Sequence, residues 1–356
     1  MLTTPTTAVQ PPPLPEARPR SLQLVLFLAA ILWYLCAQVL SRYAANVLEF
    51  RFDLGAALPL VHAILLLFFS VCGLTLLRSI EHRSAPLRLT LGLPRRTTSR
   101  AEWATGAAIG WGLAVAAVLP MAIARTLNVQ LWTDSRAFLL LGLSLLTLGA
   151  ATLAHALAIY GYGFQRLIEA TGPVRATLIL VALTAVHAAY TATPYGTPDG
   201  TRILVAMLMT LLLSLCWLRT HGLWLLWGVS FAWGASIAVL FGLPLSGDNS
   251  FSSIVDARAY GPAWLTGGGY GPAAALLSVL FLLAAIPILV RATSDYAWKY
   301  THPPLVPGGY DVTIAPPVAH VAMEQAGDFA QPVNPGTLVQ ILPATPQGSG
   351  VRTPTE

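Results

Sequence analysis

Long apolar runs dominate this chain and leave few folds open to it. No Asp, Glu, Lys or Arg occurs from Ala137 to Gln165, from Ala176 to Pro198 or from Ile203 to Leu218. Only 10% of the 356 residues are charged, whereas soluble domains carry about 25%. Because ~20 apolar residues in a helix span the ~30 Å hydrocarbon layer, we expect a membrane protein that crosses the bilayer several times.

The apolar runs also divide the chain into regions. Runs of roughly membrane length lie at about 22–40, 54–77, 104–124, 137–160, 174–191, 203–218, 223–243 and 273–290. They predict an all-α polytopic fold with about eight transmembrane helices in a domain over 21–292. Residues 1–20 are rich in Pro and Thr and predict a disordered tail, and 293–356 predict a low-complexity tail.

The basic residues predict the orientation of this bundle. With a cytoplasmic N-terminus, thirteen Arg and Lys residues near membrane ends fall on the inside and six on the outside. Loops rich in Arg and Lys face the cytoplasm, so we expect both termini to be cytoplasmic. The basic residues lie between apolar runs and form no aromatic-studded face, so a nucleic-acid partner is not expected. Gln165 and Glu169 end the fourth run and are interpreted as a solvated helix end.

Three polar residues inside apolar runs are the candidate site residues: His155, His187 and Ser230. Polar side chains are costly to expose to lipid, so these should face protein or a wet cavity. His155 and His187 each lie sixteen residues from Thr171, beside the predicted turn Thr171-Gly172-Pro173. At 1.5 Å per residue, a tight turn would place both at the same depth on neighbouring helices.

The third candidate follows a second predicted turn, Thr220-His221-Gly222. Ser230 lies about ten residues beyond that turn, and Gly234 lies one helical turn further on the same face. Both turns are predicted at the same side of the membrane.

The chemistry of these residues leaves three interpretations open. His155 and His187 are two possible zinc ligands, but catalytic zinc usually has three protein ligands and no third is evident. Ser230 with a histidine suggests a nucleophile and base, but no carboxylate is placed to orient the base. Alternatively, the two imidazoles bond to each other, to Tyr160, Tyr162 or Ser230, and hold the helices together.

Several framework strings resemble a known family. They lie at 161–170, 172–173, 218–224, 241–247 and 264–268. These strings resemble the CPBP family, which includes the CAAX prenyl proteases and bacteriocin-immunity (Abi-type) membrane proteins. The resemblance covers the chain from about position 85 to position 290.

The resemblance implies an eight-helix intramembrane endopeptidase in which a glutamate activates water, with or without a metal. The family cleaves near the C-terminus of prenylated proteins or acts on other membrane peptides. The family's Glu-Glu pair falls on His155 and Ala156, and its arginine falls on Tyr160. The histidine and asparagine of its last motif fall on Ser230 and Gly234.

One catalytic position keeps the family residue, His187, which follows Leu183 where the family has Phe. The general base and the arginine are replaced. The resemblance therefore predicts a non-catalytic relative, without a cofactor, that binds a membrane peptide, a prenylated protein or a partner in a bacterial inner membrane.

The alternative is an active endopeptidase with a rewired site at His155, His187 and Ser230, with or without a zinc ion held by the two histidines. A transporter is disfavoured because the sequence contains no inverted repeat and no carboxylate within the membrane runs.

Overall fold

The structure is a computed structural model. It describes residues 19–81, 87–94, 96–194, 196–251 and 254–293. The predictions for the two tails, 1–20 and 293–356, lie outside the described residues except at Pro19, Arg20 and Thr293.

Helices make up most of the described chain. In order, they are α1 Arg20–Phe52, α2 Leu58–Ile80, α3 Leu87–Thr90, α4 Ser99–Ile123, α5 Ser135–His155, α6 Gln165–Thr171, α7 Pro173–Tyr190, α8 Asp199–Thr220, α9 Trp224–Ala235, α10 Ala263–Thr266 and α11 Leu276–Ala292. A π-helix over Ala156–Phe164 joins α5 to α6, and a second one over Ser236–Leu240 extends α9. Three 3₁₀ turns lie at Gly55–Ala57, Gly268–Tyr270 and Pro272–Ala274.

Six of the described helices are long and apolar enough to cross a membrane. They are Arg20–Phe52, Gly55–Ile80, Ser99–Ile123, Ser135–Thr171, Pro173–Tyr190 and Asp199–Thr220. Two shorter apolar helices, Trp224–Leu240 and Leu276–Arg291, coincide with the last two predicted runs. The prediction of an all-α membrane bundle is thus confirmed in outline, while the count of eight spans and the CPBP fold stay predictions.

Glycine and the left-handed conformation end the helices at the two predicted turns. Gly172 has φ +86° between α6 and α7, and Pro173 begins α7 with a φ that suits a first helical residue. His221 ends α8 in the left-handed region with φ 46°, and its backbone N–H donates to the Trp217 carbonyl at 2.7 Å. Both connections are tight, as the depth estimate required.

Contacts between helix ends define one face of the bundle, which we call the basic end. There, Arg96 Nη1 donates to the Thr220 carbonyl at 2.6 Å and joins the start of α4 to the end of α8. Arg219 Nη2 donates to the Val290 carbonyl at 2.7 Å and joins α8 to the end of α11.

The opposite face carries a small β-ribbon that was not predicted, and we call it the ribbon end. Strand β1 (Leu127–Leu131) pairs antiparallel with β2 (Val255–Ala259), with Val129 opposite Ala257. Each strand has only five residues, too few to stand out beside the apolar runs.

Glycines bring α4 and α9 into close contact. A Cβ at Gly106 or Gly110 would collide with the α9 carbonyls of Leu225 or Val229, and a Cβ at Gly228 would collide with the Trp103 carbonyl. Small residues at such spacing let membrane helices approach backbone to backbone. Helix α9 is thereby fixed inside the bundle, where it also packs on α5 and α8.

Candidate functional site

His155 lies near the middle of the longest apolar span, Ser135–Thr171. It is the last residue of α5, and the chain continues from Ala156 as a π-helix. A π-helix has hydrogen bonds between residues i and i+5, is rare, and is frequently found at functional sites. This change of winding is the first structural sign that the predicted site is unusual.

The π-helix stacks the aromatic rings that follow His155. The His155 and Tyr160 rings are five residues apart, and their centroids lie 5.9 Å apart at 69°. Tyr160 meets Phe164 at 6.2 Å and 69°. On the other side of His155, the Tyr34 ring of α1 lies 5.9 Å away at 65°. These are edge-to-face contacts, each of which contributes about 0.5–1.5 kcal/mol.

His187 approaches His155 from α7. The two imidazoles lie within electrostatic reach of each other, and their equal depth in the membrane stays a prediction. Both residues are exposed. His155 lies in the middle of its apolar span, whereas His187 lies in the last turn of α7.

The packing of the helices shows which elements surround these histidines. Helix α7 packs mainly on α8 and α6, whereas α1 packs mainly on α2, α6 and the π-helix. The π-helix that follows His155 thus lies beside α1, and His187 belongs to α7. We call the surface around the two histidines the histidine groove and define it by Tyr34, His155, Tyr160, Leu183 and His187, of which the two tyrosines are buried. Leu183 is one turn from His187 and is 44% exposed.

Hydroxyl groups add to the polar character behind the groove. The Tyr160 hydroxyl lies beside Thr210 of α8. Thr210 Oγ1 donates to Thr184 Oγ1 on α7 at 3.1 Å, and Ser214 donates to the Thr210 carbonyl at 2.8 Å. Hydroxyls rather than charged groups connect α7 and α8 at this depth.

The predicted hydrogen bonds of the two imidazoles are not formed among the described residues, where the contacts of His155 are ring edges. Tyr162, a predicted partner, instead directs its hydroxyl to Glu81 Oε2 at 3.5 Å. The histidines are therefore free to bond to something that enters the groove.

Ser230 belongs to a different helix pair. Its Oγ donates within α9 to the Trp227 carbonyl at 3.2 Å. Trp227 Nε1 donates to the Gly149 carbonyl of α5 at 3.3 Å. Gly149 lies six residues before His155, which corresponds to another side of the helix. No contact among the described residues joins Ser230 to either histidine.

The two remaining family positions are closed by packing. Ala156 is 1% exposed. Gly234 is buried, and a Cβ there would make ordinary contact with Leu245 at 3.5 Å. Neither Ala156 nor Gly234 therefore contributes a polar side chain to the histidine groove. Among the described residues, no three side chains of His, Cys, Asp or Glu group together as metal ligands would.

A charged cluster at the basic end was missed by the sequence analysis. Arg166 is fully buried, and its Nη1 lies 3.0 Å from Glu81 Oε1 and 2.6 Å from Glu169 Oε2. The same nitrogen lies 3.3 Å from Gln23 Oε1, and the guanidinium stacks 5.2 Å from the Tyr162 ring centre. We call these five residues the Arg166 cluster.

The Arg166 cluster joins α1, α2 and α6. Glu169 is exposed near the end of α6, as in a solvated helix end, and its carboxylate also pairs with the buried Arg166. The signal was the i,i+3 pair Arg166 and Glu169, flanked by Phe164, Leu167 and Ile168. An ion pair among apolar neighbours indicates a buried position.

A second polar group at the basic end surrounds the α8–α9 turn. Thr98 Oγ1 donates at 2.9 Å to Glu102, which is fully buried. Arg96 Nη1 lies 3.9 Å from Glu102 Oε1. Loss of surrounding water, and then the positive charge of Arg96, lower the pKa of His221. His221 also packs edge-on to Trp217 at 5.4 Å.

Comparison with known proteins adds no family to these observations: no family model, curated protein or solved structure matches this chain. The fold supports a multi-pass helical membrane protein, in which two exposed imidazoles lie near each other, one on α5 and one in the last turn of α7.

Proposed function

We propose that this chain is a non-catalytic relative of the CPBP membrane peptidases. Its histidine groove would bind an apolar membrane peptide, such as the C-terminal segment of a prenylated protein. The resemblance of the framework strings suggests the class of ligand, and the groove suggests how the ligand is held.

One observation carries the proposal: two exposed imidazoles, His155 in the middle of its apolar span and His187 in the last turn of α7, lie within electrostatic reach of each other. Polar groups exposed inside a membrane are expensive and mark functional sites. A neutral imidazole has one N–H donor and one acceptor nitrogen, so two of them match the backbone carbonyl and N–H of an entering peptide. Leu183 beside His187 gives the groove an apolar wall for the side chains.

Binding without cleavage follows from the residues at the other family positions. Hydrolysis of an amide needs a base to activate water and donors to stabilise the oxyanion. Ala156 supplies neither group. Tyr160 is 2% exposed and its hydroxyl lies beside Thr210, and Ser230 bonds within α9.

The proposal includes the orientation derived from the basic residues. The basic end would face the cytoplasm of a bacterial cell, and the ribbon end would face the opposite side of the inner membrane. The excess of Arg and Lys in the segments that would lie inside supports this orientation.

The proposal is tested in nanodiscs with a fluorescent prenylated peptide and with the same peptide without the prenyl group. We expect the protein to bind the prenylated probe and leave its mass unchanged. Replacing His155 or His187 by Ala should weaken binding about tenfold, as expected for the loss of one hydrogen bond of about 1.4 kcal/mol. His62→Ala is the matched control, because His62 lies in α2 outside the groove, and it should bind normally.

Equal binding by the wild type and both groove variants would refute the groove as the site. Cleavage that His155→Ala and Ser230→Ala both abolish would refute the non-catalytic assignment.

The proximity of His155 and His187 also fits the alternative, an endopeptidase with a rewired site that includes Ser230, with or without zinc. In that case the purified protein should contain stoichiometric metal, and His155→Ala should remove it. Covalent labelling of Ser230 by a serine-reactive probe would support a nucleophilic version of the same alternative.

A further inference from the structure

A second cavity opens at the ribbon end between α1, α2, α5 and the loop after the second π-helix. Its volume is about 440 Å³, within the range of small-molecule sites. We call it the ribbon-end cavity. Its polar lining includes Arg42, Asn46, His62, Asp248 and Ser250. Its apolar lining includes Leu58, Pro59, Leu66 and Phe251.

The cavity lies at the depth of lipid headgroups. Arg42 is 22 residues from Arg20 at the start of α1, which corresponds to about 33 Å along the helix. His62 is 18 residues from Ile80 at the end of α2, or about 27 Å. The hydrocarbon layer is ~30 Å thick, so both side chains lie near its boundary if the basic end lies at the other surface. The molecules most abundant at that depth are membrane lipids.

Arg42 supplies a positive charge for a ligand. Its side chain is exposed and makes no ion pair with the described residues. It lies close enough to His62 for its charge to act on the imidazole. An arginine fork without a carboxylate partner is well suited to the oxygens of a phosphate.

His62 supplies a hydrogen-bond acceptor. One side of the ring lies against the backbone carbonyl of Gln38, which takes the N–H of a neutral imidazole. Nε2 is buried and has no hydrogen-bond partner among the described residues. With Nδ1 donating to Gln38, Nε2 accepts, so it matches an N–H on the ligand.

Asp248 supplies a negative charge from the loop. Its backbone is held by two hydrogen bonds with Leu245, of 3.0 and 3.1 Å. Its Oδ1 accepts the Ser250 N–H at 2.8 Å, and the carboxylate keeps further acceptor positions. The cavity therefore combines a cation, a carboxylate and a neutral acceptor, a set that matches a ligand bearing both charges.

We propose that the ribbon-end cavity binds the headgroup of a phospholipid whose zwitterionic headgroup ends in a primary ammonium, as in phosphatidylethanolamine. Arg42 and Asn46 take the phosphate oxygens, and Asp248 and His62 Nε2 accept the ammonium N–H groups. The apolar wall formed by Leu58 and its neighbours covers the start of the acyl chains. This site is separate from the histidine groove and does not depend on the function proposed for it.

The test uses nanodiscs with equal amounts of phosphatidylethanolamine, phosphatidylcholine and phosphatidylglycerol, and native mass spectrometry of the released protein. We expect one phosphatidylethanolamine to stay bound, enriched at least about tenfold over phosphatidylcholine, because the quaternary ammonium offers no N–H and loses a charge-assisted bond. Free phosphoethanolamine at millimolar concentration should compete weakly, which separates a lipid from a soluble headgroup as the ligand.

Two variants locate the site. Arg42→Gln should lose retained phospholipid of every class, whereas Asp248→Asn should keep the lipid but lose the preference for phosphatidylethanolamine over phosphatidylglycerol. His187→Ala in the groove is the control and should retain lipid like the wild type. If Arg42→Gln fails to fold, the lipid preference of Asp248→Asn and the lipid competition in the wild type still test the proposal.

Three results would overturn the proposal. They are no enrichment of phosphatidylethanolamine by the wild type, an undiminished preference for phosphatidylethanolamine in Asp248→Asn, and preferred retention of phosphatidylglycerol by the wild type. Binding of free phosphoethanolamine as tight as that of the lipid would replace the lipid by a soluble ligand.

Discussion

Arg166 and His155 belong to one continuous span, eleven residues apart, yet their surroundings are opposite in kind. The Arg166 guanidinium is fully buried with carboxylate oxygens at 3.0 and 2.6 Å. The His155 imidazole is exposed, and its ring contacts among the described residues are edge-to-face contacts with Tyr34 and Tyr160. A buried charge is tolerated only where the fold surrounds it with opposite charge. A neutral imidazole has no such requirement, so the fold can leave it open for a ligand.

The largest effect is expected from removing the buried positive charge of the Arg166 cluster. Arg166→Met removes the guanidinium that Glu81 and Glu169 both contact, so the free energy of unfolding should fall by about 3 kcal/mol. Unfolding in mixed detergent micelles measures this change. Arg175→Met is the control, because Arg175 is exposed on α7 and its loss should cost less than about 0.5 kcal/mol.

Adding Glu81→Gln to Arg166→Met should restore part of the lost stability, because it removes a buried charge left by the first change. An equal loss in the Arg166 and Arg175 variants would show that the Arg166 cluster does not stabilise the fold.

A smaller effect is expected from placing a charge in the histidine groove. His155→Glu puts a carboxylate at mid-span without an arginine, and should lower the free energy of unfolding by about 2 kcal/mol. His155→Gln, of similar size and neutral, should cost less than about 1 kcal/mol. The same unfolding assay compares the two variants. A glutamate tolerated as well as glutamine would contradict the view that the groove is kept neutral because it lacks a balancing cation.

The smallest effect concerns the histidine at the basic end, His221. Burial and the charge of Arg96 lower its pKa below the usual 6.5. The unfolded chain therefore binds a proton more readily than the folded chain as the pH falls below about 6.5, and stability decreases there. His221→Asn, which tolerates the left-handed backbone, should remove this part of the pH dependence.

Melting temperatures of the wild type and His221→Asn at pH 8 and pH 5.5 check this expectation. The melting temperature of the wild type should fall more than that of the variant when the pH is lowered from 8 to 5.5. The same decrease in both proteins would mean that His221 does not contribute.

The turn between the fourth and fifth predicted helices and the approach of the two histidines to each other were predictable from the sequence, because a helix rises by a fixed distance per residue. The turn at Thr171–Pro173 ends and starts helices as expected, and His155 and His187 lie within reach of each other. The direction in which each side chain points was not predictable to the same degree. The π-helix from Ala156 changes the winding directly after His155. Ser230 lies on α9, whose neighbour Trp227 faces Gly149.

Long-range ion pairs were also beyond the sequence analysis. Glu81 and Arg166 are 85 positions apart, and each stands at the end of an apolar run, where a solvated charge is the common expectation. Only the packing of α1, α2 and α6 shows that these ends are buried. Similarly, α1 continues from the predicted limit at position 40 to Phe52, because its exposed arginines interrupt the apolar pattern without breaking the helix.

The most direct test of the central claim, that the histidine groove holds a membrane peptide without cutting it, is photo-crosslinking followed by mass spectrometry. A benzoylphenylalanine in place of Leu183 would lie in the groove. The same residue in place of Leu280 on α11 is the control, because the two leucines are similarly exposed, Leu280 at 55% and Leu183 at 44%. The account predicts an adduct with the intact prenylated peptide at position 183 and none at position 280. A peptide shortened at its C-terminus, or equal adducts at both positions, would contradict it.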